Sequence, residues 1–335
     1  MSGLRKLLFT AFVFAAGSTV LAAPVVIKLS SIATTGTIWD TALNQMGADW
    51  RKATEARVTL RIVPGQGSET KIIKAMSMGA NTVDAALLTS AGLSEIDDAF
   101  NVFGIPFMFQ SDAEEQFVRA KLEPVLVKRL EAKKFKLISW GHGGWVQLFS
   151  TVPITSLADL KAAKLYTSAG NDKMQSWYDS NGFKAIPLDI TGITQGMTTG
   201  AITAAPLPPF GAVALQLSRT VKYMLEVNVD PLIGALVMWD SAWNKIDAAD
   251  REKLIAAAKV LEKKLQTDVP AQDAKAVADM QKLGLKVNKL DPAAAAAFQA
   301  EAGKLIGSME GKMVPSDVFK LAMQARDEYR KTHAK

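Results

Sequence analysis

Between residues 25 and 88 the chain follows one pattern that few folds accept. Val25-Val26-Ile27-Lys28-Leu29-Ser30 is a run of β-branched and apolar residues and reads as a strand. A loop of small and hydroxylated residues, 31–36, follows it. Trp39, Leu43, Met46 and Trp50 then recur at spacings of four, three and four, which puts them on one face of a helix. Residues 57–63 return to strand, with Val58, Leu60 and Ile62 on one side. Pro64-Gly65-Gln66-Gly67 turns the chain, Ser68 caps a helix through Met78, and Gly79 ends it. Residues 83–88 are a third strand. Strand, helix, strand, helix, strand predicts a parallel sheet covered by helices. In such sheets ligands sit beyond the carboxyl ends of the strands. That nominates Thr89 and Ser90, directly after the third strand, to offer hydroxyls or amides to a ligand; as a plain helix cap the pair reads equally well.

What precedes the first strand is a targeting segment. Arg5 and Lys6 form a basic start, residues 7–20 are apolar and too short to span a bilayer, and Val20-Leu21-Ala22 offers a cut before Ala23. Residues 1–22 are therefore expected to be a signal peptide, cleaved on export to the periplasm. Its loss removes two positive charges and no acid, so a formal net charge of +6 becomes +4. Those charges are scattered, with no basic stripe of the kind nucleic acid requires. There is no cysteine, which excludes disulfides, thiolate-bound zinc, a thiol nucleophile and a lipid-modified N-terminal cysteine. At 335 residues the chain is long enough for two domains with cores of their own.

The remainder repeats the same grammar. Residues 135–140 read as a strand leading into a glycine-rich loop, Gly141-His142-Gly143-Gly144-Trp145-Val146. This is not a phosphate loop, because no lysine-serine or lysine-threonine pair follows. His142 has no nearby nucleophile or triad pattern and reads as structural. Ser156 with Asp159 three residues on marks a helix start, and Lys164-Leu165-Tyr166 alternates as a strand does. A helix at 173–178, a short strand at 183–187 and a weak helix at 192–199 follow. Met76-Ser77-Met78-Gly79-Ala80-Asn81-Thr82 is echoed by Met197-Thr198-Thr199-Gly200-Ala201-Ile202-Thr203, a hint of two units built to one plan. Residues 232–239 are a strand, Asp247 caps a long helix, and the helical tail breaks near Gly284, Asp291-Pro292 and Pro315.

The stretch Ser156-Leu157-Ala158-Asp159-Leu160-Lys161-Ala162-Ala163-Lys164-Leu165-Tyr166 resembles a motif of the solute-binding proteins of TRAP transporters (tripartite ATP-independent periplasmic transporters), the DctP family. The lysine-bearing first strand, the tryptophan helix, the glycine-rich turn, Ile105-Pro106-Phe107-Met108-Phe109 and the Trp243 to Asp247 helix start are similar to that family too. The resemblance covers essentially the whole mature chain. In the family the first motif ends in an arginine that clamps the solute's carboxylate; here that position is Tyr166. A second arginine follows an aromatic residue in the segment crossing between domains; here the aromatic is Trp145 and the arginine position is Val146. Where the family has a polar pair and asparagine before a proline, this chain has Ala205, Pro206 and Leu207.

The resemblance implies an α/β fold of two lobes, each a sheet flanked by helices, with long helices toward the C-terminus. The boundaries expected are lobe I at 23–143 plus 232–271 and lobe II at 144–231 plus 272–335. It implies a monomer that captures a small organic solute between the lobes and delivers it to integral membrane subunits of a TRAP transporter. An organic acid, aromatic in one version, is the expected solute, and Trp39 and Trp145 would supply flat surfaces for it. The alternatives are a sensor read by a membrane receptor and a binder of a neutral solute. An enzyme is not expected: no nucleophile stands beside a base, and no paired carboxylates suggest a cleft. No cofactor or metal is expected either. The candidate ligand-binding residues are Tyr166, Trp145, Trp39, Ser90, Thr89, Val146 and Leu207.

Overall fold

The computed structural model describes residues 23–31, 33, 35–64, 68–78, 82–169 and 171–333. The signal peptide expected at 1–22, the turn at 65–67 and the helix stop at Gly79 lie outside the described residues. The strands described are β1 (Val25–Ser31), β2 (Val58–Pro64), β3 (Ala85–Thr89), β4 (Phe135–Trp145), β5 (Gln147–Ser150), β6 (Lys164–Ser168), β7 (Lys184–Leu188), β8 (Ala204–Leu207), β9 (Tyr223–Leu225), β10 (Pro231–Trp239) and β11 (Lys286–Asn288). They form two mixed sheets, β2-β1-β3-β10-β4 and β11-β9-β5-β8-β6-β7, both flanked by helices.

The opening pattern folds as its periodicity requires. The helix Ile38–Ala53 buries Trp39, Leu43, Met46 and Trp50 against the first sheet. Each such burial contributes roughly 1.5–3 kcal/mol. Strands β2, β1 and β3 run parallel. The expectation of a parallel sheet stops there, because β10 lies antiparallel between β3 and β4. The cause is direction of travel: β10 brings the chain back from the second sheet.

The expected glycine-rich loop is strand. Gly141 pairs with Gly234 of β10, and His142 pairs with Ile233. These glycines answer close neighbours rather than a turn. A Cβ on Gly141 would stand 2.6 Å from Cη2 of Trp39, and one on Gly234 would stand 2.4 Å from the Leu88 carbonyl oxygen. Gly144, at φ +85°, carries the end of the strand past Asp273 in the left-handed region open to glycine.

Among the described residues the chain passes between the sheets at three places. Val146 alone separates β4 from β5. Residues 226–230 carry it back from β9 to β10. These two crossings pair: Val146 N–H donates to the Asp230 carbonyl at 2.9 Å, and Val229 N–H donates to the Val146 carbonyl at 3.0 Å. The third is the 35-residue helix Ala248–Lys282. Its Leu254, Ala258, Leu261, Leu265 and Val269 enter the core under the first sheet, whereas Ala276 and Met280 enter the core of the second. The C-terminal helix Ser316–His333 packs on the helix Asp112–Ala132, where Arg129 holds Asp317 at 2.9 Å and Arg330 holds Glu114 at 2.5 Å. No described helix is long and apolar enough to cross a membrane.

Candidate functional site

The carboxyl ends of β3, β6 and β7 converge on a cavity of about 90 Å³. From the first sheet's side it is lined by Ser68, Glu69, Thr70, Thr89, Ala91 and Glu95. From the second sheet's side come Tyr166, Ser168, Asn171, Leu188, Asp189 and Ile190. This is the place where open α/β sheets hold ligands. A larger groove of about 760 Å³ lies between the helices Pro292–Gly307 and Ser316–His333 and the 107–110 loop, and it holds none of the nominated residues.

Local rules place each lining side chain. Ser68 caps the helix Glu69–Ser77 by accepting the Lys71 N–H, which sets Glu69 in the first turn. Glu69 then turns toward the end of β3. Its Oε1 accepts the Thr89 N–H at 2.6 Å and its Oε2 accepts the Thr89 hydroxyl at 2.7 Å. Thr89 also caps the helix Ser90–Ile96 by accepting the Gly92 N–H at 3.3 Å. The cap and the cavity contact are thus the same residue. One turn further on, Glu95 accepts the Thr70 hydroxyl at 2.8 Å.

On the opposite wall, strand alternation puts Tyr166 and Ser168 on one face of β6, and their hydroxyls bond at 3.2 Å. The Tyr166 ring is buried in the second core with Phe149, Leu207 and Met224. Burial pushes the Tyr166 phenol above its ordinary value; the bond to Ser168 opposes this, and the charges of Glu69 and Asp189 add to it. Burial likewise raises the carboxyl groups of Glu69 and Glu95 above the usual glutamate range.

Of the seven nominated residues, Thr89 and Tyr166 line this cavity. Ser90 opens the helix Ser90–Ile96 beside Thr89. Trp39 lies in the core beneath the first sheet, its ring edge over Gly141. Trp145 donates its Nε1–H to Asp112 at 2.8 Å. Val146 is buried at the crossing, and Leu207 is buried in the second core. His142 is buried beside Asp112, with Nε2 3.6 Å from the carboxylate; burial lowers its basicity against the pull of Asp112. Glu69, Glu95, Asp189 and Ser168 were not anticipated. The one available signal was Glu69, an acid directly after a helix cap, and such acids are ordinarily solvated.

A model of the family described as bacterial extracellular solute-binding protein, family 7 (DctP), matches residues 29–312. A solute-binding protein of Verminephrobacter eiseniae is 22% identical over 223 residues, 66% of this chain and 66% of the relative. Among solved structures, the fold is similar to a TRAP periplasmic solute-binding protein of Xanthobacter autotrophicus Py2 with bound β-D-galacturonate, at TM-score 0.81 and 18% identity over 90% of this chain and 99% of that one. It is similar to one from Ralstonia eutropha H16 with bound (S)-2-acetolactate, at TM-score 0.82 and 20% identity over 91% and 100%. A third, from Desulfovibrio salexigens with bound orotic acid, gives TM-score 0.82 and 17% identity over 92% and 99%.

Proposed function

The chain belongs to family 7 of the bacterial extracellular solute-binding proteins, the DctP family, and on that premise we propose that it captures a small organic solute in the cavity around Tyr166 and Thr89 and delivers it to membrane subunits of a TRAP-type transporter. It is a binding protein rather than an enzyme. The observation that carries the reading is one cavity built from the strand ends of two sheets. We place lobe I at 23–143 plus 232–271 and lobe II at 144–231 plus 272–335, with the helix Ser316–His333 strapped back onto lobe I. In this reading the protein acts as a monomer.

Closure follows from differential affinity. A solute that touches both walls binds the closed state better than the open one, and that difference shifts the population. The paired crossings at Val146 and Val229, with the helix Ala248–Lys282, are the connections about which the lobes would turn. Small-angle scattering before and after solute addition checks this: the bound form is expected to be more compact. An unchanged profile with solute bound would remove the hinge.

The Tyr166 hydroxyl is read as a solute contact. In Tyr166→Phe the solute affinity is expected to fall by about 0.5–1.5 kcal/mol, roughly two- to twelvefold. Folding stability should barely move, because the ring stays in its core. Calorimetry with a co-purified solute identified by mass spectrometry measures the loss. Wild-type affinity in both Tyr166→Phe and Tyr166→Ala would take the residue out of the site.

Export is the remaining element. A mature N-terminus at Ala23, within a residue or two, is expected for the periplasmic protein. Intact-mass measurement checks it, and native protein retaining Met1 to Ala22 would contradict it. The three solved structures named above hold organic acids, which makes an acid the first solute to test. A specific observation favours the alternative of a solute that is not an acid: three carboxylates line the cavity.

A further inference from the structure

We infer that the cavity between the ends of β3 and β6 takes its solute through a cationic nitrogen, an ammonium or amidinium head, and not through a carboxylate. The inference rests on the proposal that this cavity is the solute cleft. The site itself stands on its position between strand ends of both sheets and on its volume of about 90 Å³. The charges of its lining decide only what it accepts.

Those charges have one sign. Glu69 and Glu95 approach from the first sheet's side and Asp189 from the second's, and no lysine or arginine lines the cavity among the described residues. Lys74, which acts on Glu95, is a neighbouring cation outside the lining. The two positions at which the resemblance implies clamping arginines hold Tyr166 and Val146.

The hydroxyl protons point the same way. The Thr89 proton goes to Glu69, and the Thr70 proton goes to Glu95. Tyr166 and Ser168 share a bond that uses one of their two protons. Among the lining side chains, two hydroxyl protons, that of Ser68 and one of the Tyr166–Ser168 pair, and the Asn171 amide are left to donate, against carboxylate oxygens on both walls that still have lone pairs free. Glu69 has also taken the place at the Thr89 N–H that a solute carboxylate could have used. An acid entering here would be desolvated among like charges with few donors, which is costly. An ammonium would meet acceptors on both walls, each bond charge-assisted. The cavity is small and partly open, so it suits a small head whose remainder projects outward.

Titration gives a signature. Burial favours the protonated forms of Glu69 and Glu95, and a bound cation draws their protons off. Tyr166, Asp189 and Lys74 are the other ionisable groups facing them. Amine affinity should therefore fall as the pH is lowered from neutral, whereas acid affinity should rise.

The test is calorimetry of the mature protein with ethanolamine and benzylamine as cationic probes and orotate and galacturonate as acids. At neutral pH the amines are expected to bind and the acids not to. Glu69→Gln should weaken amine binding about tenfold or more. Asp189→Asn, on the other wall and away from the Thr89 cap, should do the same should Glu69→Gln fold poorly. Tighter binding of an acid than of either amine, absence of amine binding, or unchanged amine affinity in both variants would each overturn the inference. If an acid binds and Tyr166→Ala abolishes it, the cleft stands and the cationic inference fails. If an amine binds and Tyr166→Ala, Glu69→Gln and Asp189→Asn all leave it unchanged, the cleft itself fails.

Discussion

Gly234→Ala is expected to cost about 3 kcal/mol or more of stability and to weaken solute binding in whatever protein still folds. Gly234 sits in β10 between Thr89 of β3 and Gly141 of β4. A methyl there would stand 2.4 Å from the Leu88 carbonyl oxygen and 3.5 Å from the Thr89 Cα. The obstacle is backbone, so no rotamer change relieves it; β3 and β10 must separate or shift. Separation breaks ladder hydrogen bonds in the middle of the sheet, and it moves Thr89, which lines the cavity. The control has the opposite sign. Gly303, exposed on the helix Pro292–Gly307, has nothing within 4 Å of its would-be Cβ. Gly303→Ala should stabilise by roughly 0.5–1 kcal/mol, because a helical glycine loses more backbone freedom on folding than alanine does. Urea denaturation of both variants decides the matter. A Gly234→Ala midpoint equal to wild type would show that the sheet has slack there.

The contrast between those two glycines also marks how far sequence can be read. Periodicity is local, and the elements that depended on it were legible: the buried face Trp39, Leu43, Met46 and Trp50 needs only its own helix. The caps Ser68, Ser156 and Asp247 were legible for the same reason, since each bonds an amide two or three residues on. The run from Gly141 to Gly144 was misjudged as a loop because its glycines respond to Trp39, Leu232 and Asp273, which are remote in sequence. Tyr166 could be placed in the cavity through the frame of its motif. Glu69 could not: as a first-turn acid it looks solvated, and what encloses it is Thr89, twenty residues later. Likewise the helix Ser316–His333 shows an apolar stripe, but nothing in the stripe names the helix Asp112–Ala132 as its partner.

Removal of a buried cation should be as damaging as the added methyl, and it should depend on pH. Arg119 is buried in the helix Asp112–Ala132, with its guanidinium 5.4 Å from the Trp140 ring centre. Its Nε–H donates to Glu115 at 2.9 Å, and Nη1 donates to Glu262 of the long helix at 3.0 Å. Glu115 is 1% exposed, so Arg119→Met keeps the bulk and leaves that carboxyl without its partner. The expected loss is about 3–5 kcal/mol above neutral pH, the range for a buried pair deprived of one member. Burial raises the Glu115 carboxyl from 4.5 to about 7, against the pull of Arg119 and with help from Asp112 and Glu262. The fold therefore holds the proton more tightly than the unfolded chain, and ionising Glu115 weighs against folding as pH rises between those two values. Without Arg119 the upper limit of that window moves higher, so the variant goes on losing stability where the wild type has levelled off. The deficit should be smaller at about pH 5, where Glu115 is neutral in the fold, than at about pH 8. Adding Glu115→Gln should recover most of the loss at the higher pH, since no charge is then stranded. Equal deficits at both pH values, or a double variant no more stable than Arg119→Met, would show that Arg119 acts by packing on Trp140 rather than by holding Glu115.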